Sequence, residues 1–173
     1  RSLGGNVALA GMLINLVASI VGLAGLHRLV AADLSPRIAD RTIRYLAIFP
    51  AAIFFLAPFT ESVFLAATVW AFVGARERRW GWAVPAGLIA GLTRTQGILL
   101  ALPMAWEAFR SWHPAPIGPL GPAVRGGSSG VGRLGSVLAV VAPVAGFAAF
   151  AWYTAAVVGH GMLEAQDSWG GRT

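Results

Sequence analysis

Glu61 and Arg94 each interrupt a long apolar stretch that carries no other charge. A guanidinium in such surroundings can hold two oxygens of a phosphate and stabilise charge on a departing one. A carboxylate beside it can take a proton or orient a hydroxyl. Counting helical rise places the two groups at one depth: Glu61 lies 15 residues before Arg76, and Arg94 lies 15 residues after Arg79. At ~1.5 Å per residue each is about 22 Å from those arginines, roughly 8 Å short of the far side of a ~30 Å hydrocarbon core. Consecutive antiparallel helices would bring them face to face. Ionisable groups at membrane depth are costly and mark interior pathways or water-filled cavities, so a cavity with both residues on its wall is expected. The plainer role is also open: Glu61 stabilises the positive start of a helix, and Arg94 is its salt-bridge partner or snorkels to the interface.

Other chemistry is sparse. The chain has no cysteine, which removes thiolate nucleophiles and thiolate metal sites. His27, His113 and His160 are too dispersed for a helical metal pair, so neither a metal nor a cofactor is expected. The run Arg125 to Arg133, RGGSSGVGR, is glycine-rich, yet it follows a proline-rich stretch rather than a strand, unlike a phosphate-binding loop. Residues 113–133 therefore read as a flexible cytoplasmic linker.

The elements that must position Glu61 and Arg94 are apolar throughout. Hydrophobic residues make up 57% of the 173, against 12% charged, half the charge of an average soluble domain. Uncharged stretches run over Ser2–Leu26, Tyr45–Thr60, Ser62–Ala75, Trp80–Thr93, Thr95–Trp106 and Leu134–Trp152, the last continuing to Gly159. Helices satisfy their own backbone groups in lipid, so the expected fold is all-α: a polytopic membrane helix bundle of about six segments, one transmembrane domain across 1–173. Only the first and last stretches reach the roughly 20 residues needed to cross a bilayer. Pro50, Pro85, Pro103 and Pro143 fall inside stretches and are expected to kink them. Gly87 and Gly91 form a GxxxG pair suited to close packing inside the bundle.

The chain carries 13 arginines, no lysine and 7 acids, a net charge of +6. If the segments alternate sides, 10 of the 13 arginines collect on one side, which the positive-inside rule assigns to the cytoplasm. The basic excess is thus a topology record. No compact basic motif with interleaved aromatics is present, so nucleic acid is not an expected partner; membrane lipids are. Residues 160–173 fall on the extracytoplasmic side.

At the charged pair the sequence resembles a known family. The run Phe49 to Phe64, FPAAIFFLAPFTESVF, is similar to the FPxAFFLxxxYTESLF signature of the PIG-V-like mannosyltransferases, the GPI mannosyltransferase 2 family with its bacterial relatives. The run Leu92 to Gly97, LTRTQG, resembles their LTRxxG signature, and Ala165 to Gly170, AQDSWG, resembles their AQxxWG segment. Order and approximate spacing agree over about residues 37–172. Phe59 stands where the family usually has tyrosine, and Thr95 with Gln96 departs from its usual pair. The family's acidic segment in the first extracytoplasmic loop has no counterpart here. With Arg1 rather than Met at its start, the chain reads as an internal piece of a longer protein that lacks the loop bearing the usual catalytic Asp.

The resemblance implies a partial fold of the glycosyltransferase C superfamily, moving mannose from a polyprenyl-phosphate carrier to an extracytoplasmic glycolipid or glycan, as in GPI anchor biosynthesis. Arg94 would assist the departing phosphate. A carboxylate paired with arginine is a weak base, so Glu61 is read as orienting an acceptor hydroxyl or Arg94 itself. Thr60, Gln96, Gln166 and Trp169 would contact substrate. Arginine-only usage points to a bacterial plasma membrane, with the endoplasmic reticulum as the eukaryotic counterpart. A secondary transporter and a truncated, noncatalytic membrane protein are the competing readings.

Overall fold

A computed structural model describes residues 3–50, 52, 60–113 and 130–158. Apart from short turns these residues are helical, with no strand among them. Six α-helices follow in order: α1 (Leu3–Asp33), α2 (Pro36–Ile48), α3 (Glu61–Arg76), α4 (Trp80–Thr93), α5 (Ala101–Trp112) and α6 (Gly130–Tyr153). A 3-10 helix, Thr95–Leu100, links α4 to α5, and a π-helical turn, Thr154–Val158, extends α6.

Two of the six are long enough to cross a membrane: Leu9–Asp33 within α1, and Gly130–Val157 over α6 and its π turn. α3 and α4 match the expected stretches to within a residue at each end; the other boundaries differ. α1 does not stop at Leu26 but continues through His27 and Arg28 to Asp33, because nothing in that run breaks a helix and charge beyond a hydrocarbon boundary costs little. The second helix begins ahead of the apolar run Tyr45–Thr60, of which residues 51 and 53–59 lie outside the described residues. It starts at Pro36, where the Ser35 hydroxyl accepts a hydrogen bond from the Ile38 amide and proline fits the first turn. It ends at Phe49, which is extended before Pro50. Thr95–Trp106 divides at Leu100 into the 3-10 helix and α5. Gly130 to Arg133 are already helical, so the expected linker is four residues shorter at that end; residues 114–129 and 159–173 lie outside the described residues.

α1 and α3 run parallel, with Gly22 against Ala66 and Gly25 against Val69 and Trp70. The Trp70 indole donates to the Val21 carbonyl at 3.0 Å. α3 and α4 form an antiparallel hairpin through a turn in which Arg78 takes a left-handed φ of 56°. α4 and α6 run parallel, and the GxxxG glycines lie between them: a Cβ on Gly91 would sit 2.0 Å from the Pro143 carbonyl oxygen. α5 closes against α6, where the Trp112 indole donates to the Ser136 hydroxyl at 3.0 Å.

The distribution of side chains is inverted relative to a water-soluble bundle. The buried positions of α1 are Asn15, Ser19, Gly22 and Gly25, while Leu9, Leu13, Ile14, Val17 and Ile20 face outward. α6 repeats the pattern, with Ser136, Ala139, Ala142 and Gly146 inside and Leu134, Leu138, Val141 and Val144 outside. The core is accordingly built of small residues, Ala67, Ala71, Ala83, Ala90 and Ala139 among them, filled by Met104 and Leu100. Small inward residues let backbones approach closely, the packing mode of helices whose outer faces are already solvated by lipid.

Candidate functional site

Charge divides between the two ends of the bundle. At one end, Arg76 binds both Asp33 and Glu107, Arg28 meets Glu77 at 2.6 Å, and Arg110 lies 3.8 Å from Glu107. His27 and Asp40 are 3.0 Å apart nearby. The described acids of the arginine-rich set are thus all paired there.

At the other end the Arg94 guanidinium donates through Nη2 to Glu61 Oε1 at 2.9 Å. Local backbone explains the meeting. Glu61 is the first residue of α3, so its carboxylate faces the positive end of that helix dipole. Arg94 directly follows α4 in extended conformation, φ −150° and ψ 147°, which puts its cation at the negative end of α4. Two dipoles and one Coulombic contact therefore act in the same sense. The chain then folds back: the Gly97 amide donates to the Arg94 carbonyl at 2.9 Å, and a Cβ on Gly97 would lie 2.3 Å from the Ala90 carbonyl oxygen. Glycine in LTRTQG is needed for this close return.

The pair is neither sealed nor bare, its side chains being 28% exposed for Glu61 and 36% for Arg94. Among the described residues Glu61 Oε2 is buried without a hydrogen-bond partner, as is the hydroxyl of Thr68. Thr68 lies seven residues on from Glu61, two turns along the same face of α3. An orphaned carboxylate oxygen is expensive to leave unpaired, and it retains the capacity to accept a hydrogen bond.

Of the other expected contact residues, Thr60 and Gln96 are exposed neighbours of the pair. Thr60 precedes α3 without capping it through its side chain, and Gln96 lies in the 3-10 helix. Gln166 and Trp169 lie outside the described residues. Sequence reasoning missed the polar stripe next to the pair: Ser19 on α1 donates to Ser62 on α3 at 3.1 Å, and both are buried. Asn15, one turn before Ser19, is buried as well. The signal was the Asn15, Ser19, Gly22 spacing of small and polar residues inside an apolar run. Among the described residues no group of acids and histidines is placed to hold a metal. Comparison with protein-family models, curated proteins and solved structures gives no match.

Proposed function

We propose that this chain is part of an integral-membrane glycosyltransferase that moves a sugar, mannose by the family resemblance, from a polyprenyl-phosphate donor to an extracytoplasmic glycolipid or glycan. The observation that carries the reading is the Glu61–Arg94 contact of 2.9 Å at the end of the bundle away from the arginine network, with Glu61 Oε2 unpartnered among the described residues. Its two residues come from the two sequence runs that most resemble the mannosyltransferase signatures, FTES and LTRTQG. The inverted helices supply the rest of the support, since their outer faces suit lipid and their inner faces suit close packing.

A guanidinium has five N–H donors, and one of those of Arg94 is directed to Glu61. The remaining donors are available to the phosphate of the carrier. In the transfer the bond between the sugar C1 and the phosphate oxygen breaks, its electron pair leaves with the polyprenyl phosphate, and the acceptor oxygen bonds to C1 with inversion. Arg94 stabilises the charge that grows on the departing phosphate. Glu61 Oε2 accepts a hydrogen bond from the acceptor hydroxyl and orients it. The hydroxyl proton passes to a separate base, the role that the family resemblance gives to an acidic loop.

The test uses the complete protein in membranes supplied with a radiolabelled polyprenyl-phosphate sugar. Arg94→Ala should lower transfer at least about a hundredfold, the scale of losing one aligned donor to a developing anion, while membrane insertion is unchanged. Glu61→Ala should be more damaging than Glu61→Gln, which keeps an acceptor oxygen. Normal sugar incorporation by Arg94→Ala would refute the proposal. Counterflow of a labelled solute without any need for lipid-linked sugar would replace it with transport.

A further inference from the structure

The arginines of α2 differ from those of the ionic network. Arg28, Arg76, Arg79 and Arg110 each meet a carboxylate at their end of the bundle. Arg37, Arg41 and Arg44 are exposed and make no ion pair among the described residues. Their spacing, i, i+4 and i+7, lines them along one stripe of the helix. A second stripe beside it holds Ile38, Tyr45 and Phe49, which are 43%, 73% and 60% exposed. The opposite face is packed into the protein through Ala39, which is fully buried.

The position of α2 says what would cover these stripes. α1 has 31 residues, about 46 Å at ~1.5 Å per residue, so it exceeds a ~30 Å hydrocarbon core by roughly 8 Å at each end. α2 turns back from the end of α1 after Leu34 and Ser35, bringing Asp40 to 3.0 Å from His27. It therefore lies beside the last turns of α1, with Asp40 level with His27, six residues or about 9 Å from the end of α1 and so close to the boundary of such a core. We infer that α2 is a docking surface for anionic phospholipids: Arg37, Arg41 and Arg44 bind the headgroup phosphates while Ile38, Tyr45 and Phe49 enter the acyl boundary. An acidic peptide or a nucleic acid would match the arginines but leave the adjoining apolar stripe in water. This inference rests on the membrane reading of the chain, not on its enzymatic one.

These 173 residues hold no cysteine, so Tyr45→Cys in the complete protein, with any cysteine outside them replaced by serine, places a single nitroxide label on the apolar stripe. In nanodiscs of equal parts phosphatidylglycerol and phosphatidylcholine the label should be reached by oxygen and shielded from a water-soluble nickel chelate. Phosphatidylglycerol binding, read by native mass spectrometry against phosphatidylcholine, should fall about fivefold per arginine removed and on the order of a hundredfold when Arg37, Arg41 and Arg44 all become Gln. Replacing the three with Lys keeps the charge and should keep most of the preference, which separates loss of charge from loss of folding. A Gln variant that binds phosphatidylglycerol within about twofold of the parent overturns the inference, as does a label that stays open to nickel in the anionic discs. Shielding produced only by soluble polyglutamate would assign the stripe to an acidic protein and equally overturn it. Carbonate extraction of the protein from membranes would defeat the membrane reading itself.

Discussion

Adding one methyl group to Gly91 tests the arrangement that holds Arg94 in place. An alanine Cβ there would stand 2.0 Å from the Pro143 carbonyl oxygen, 2.8 Å from its carbon and 3.0 Å from the Phe147 amide nitrogen. Ordinary contact begins near 3.4 Å, so α4 and α6 must part by about 1.4 Å. All three atoms belong to helix backbone and cannot rotate aside. Overpacking of this kind costs up to ~3 kcal/mol, and replacing glycine by alanine in a helix returns about 1 kcal/mol of propensity. The net loss expected is about 2 kcal/mol. Gly81 supplies the control within the same helix, because a Cβ there meets nothing within 4 Å; Gly81→Ala should be neutral or stabilising by up to ~1 kcal/mol. Reversible unfolding in detergent, titrated with dodecyl sulfate and followed by tryptophan fluorescence, measures both variants. Arg94 lies three residues beyond Gly91, so the same displacement should stretch its 2.9 Å bond to Glu61 and lower sugar transfer on the order of a hundredfold. Equal stability of Gly91→Ala and Gly81→Ala would refute the close parallel packing of α4 on α6.

Two further outcomes concern stability alone. Met104 is fully buried at the centre of the small-residue core, so Met104→Ala should cost about 2–5 kcal/mol by the same titration; a change under about 1 kcal/mol would mean the core collapses around the gap. Arg76→Gln leaves Asp33 and Glu107 without their shared guanidinium. Glu107 is only 12% exposed there, so a loss of roughly 1–3 kcal/mol that shrinks at high salt is expected, and insensitivity to salt would argue against an electrostatic role.

Much of the candidate site was legible because helical rise is local and uniform. Equal counts from Arg76 back to Glu61 and from Arg79 forward to Arg94 were sufficient to anticipate two charges at one depth. Two glycines four residues apart in α4 likewise announced a close approach. The polar interior was harder to read. Asn15 and Ser19 look incidental within an apolar run, since a hydrophobic pattern reports which residues avoid water and not which face a neighbour. The second helix is hidden for a related reason: an uncharged run marks only what lipid can cover, whereas Ser35 and Pro36 start a helix that runs through three arginines.

Composition and spacing alone determined that this chain is helical, that its long segments suit an apolar solvent, and that Glu61 and Arg94 stand apart from the other charges. Those properties follow from backbone hydrogen bonding and solvation, which act residue by residue. Tertiary structure decided the rest: that α1 turns Asn15, Ser19 and Gly22 inward and its leucines outward, that among the described residues Arg76 serves two acids while Arg37, Arg41 and Arg44 serve none, and that Arg94 reaches one oxygen of Glu61 while the other has no partner among those residues. Each of these depends on how far a helix is rotated about its axis and how closely it approaches the next. That is set by glycine-to-backbone contacts between segments distant in sequence, such as Gly91 with Pro143.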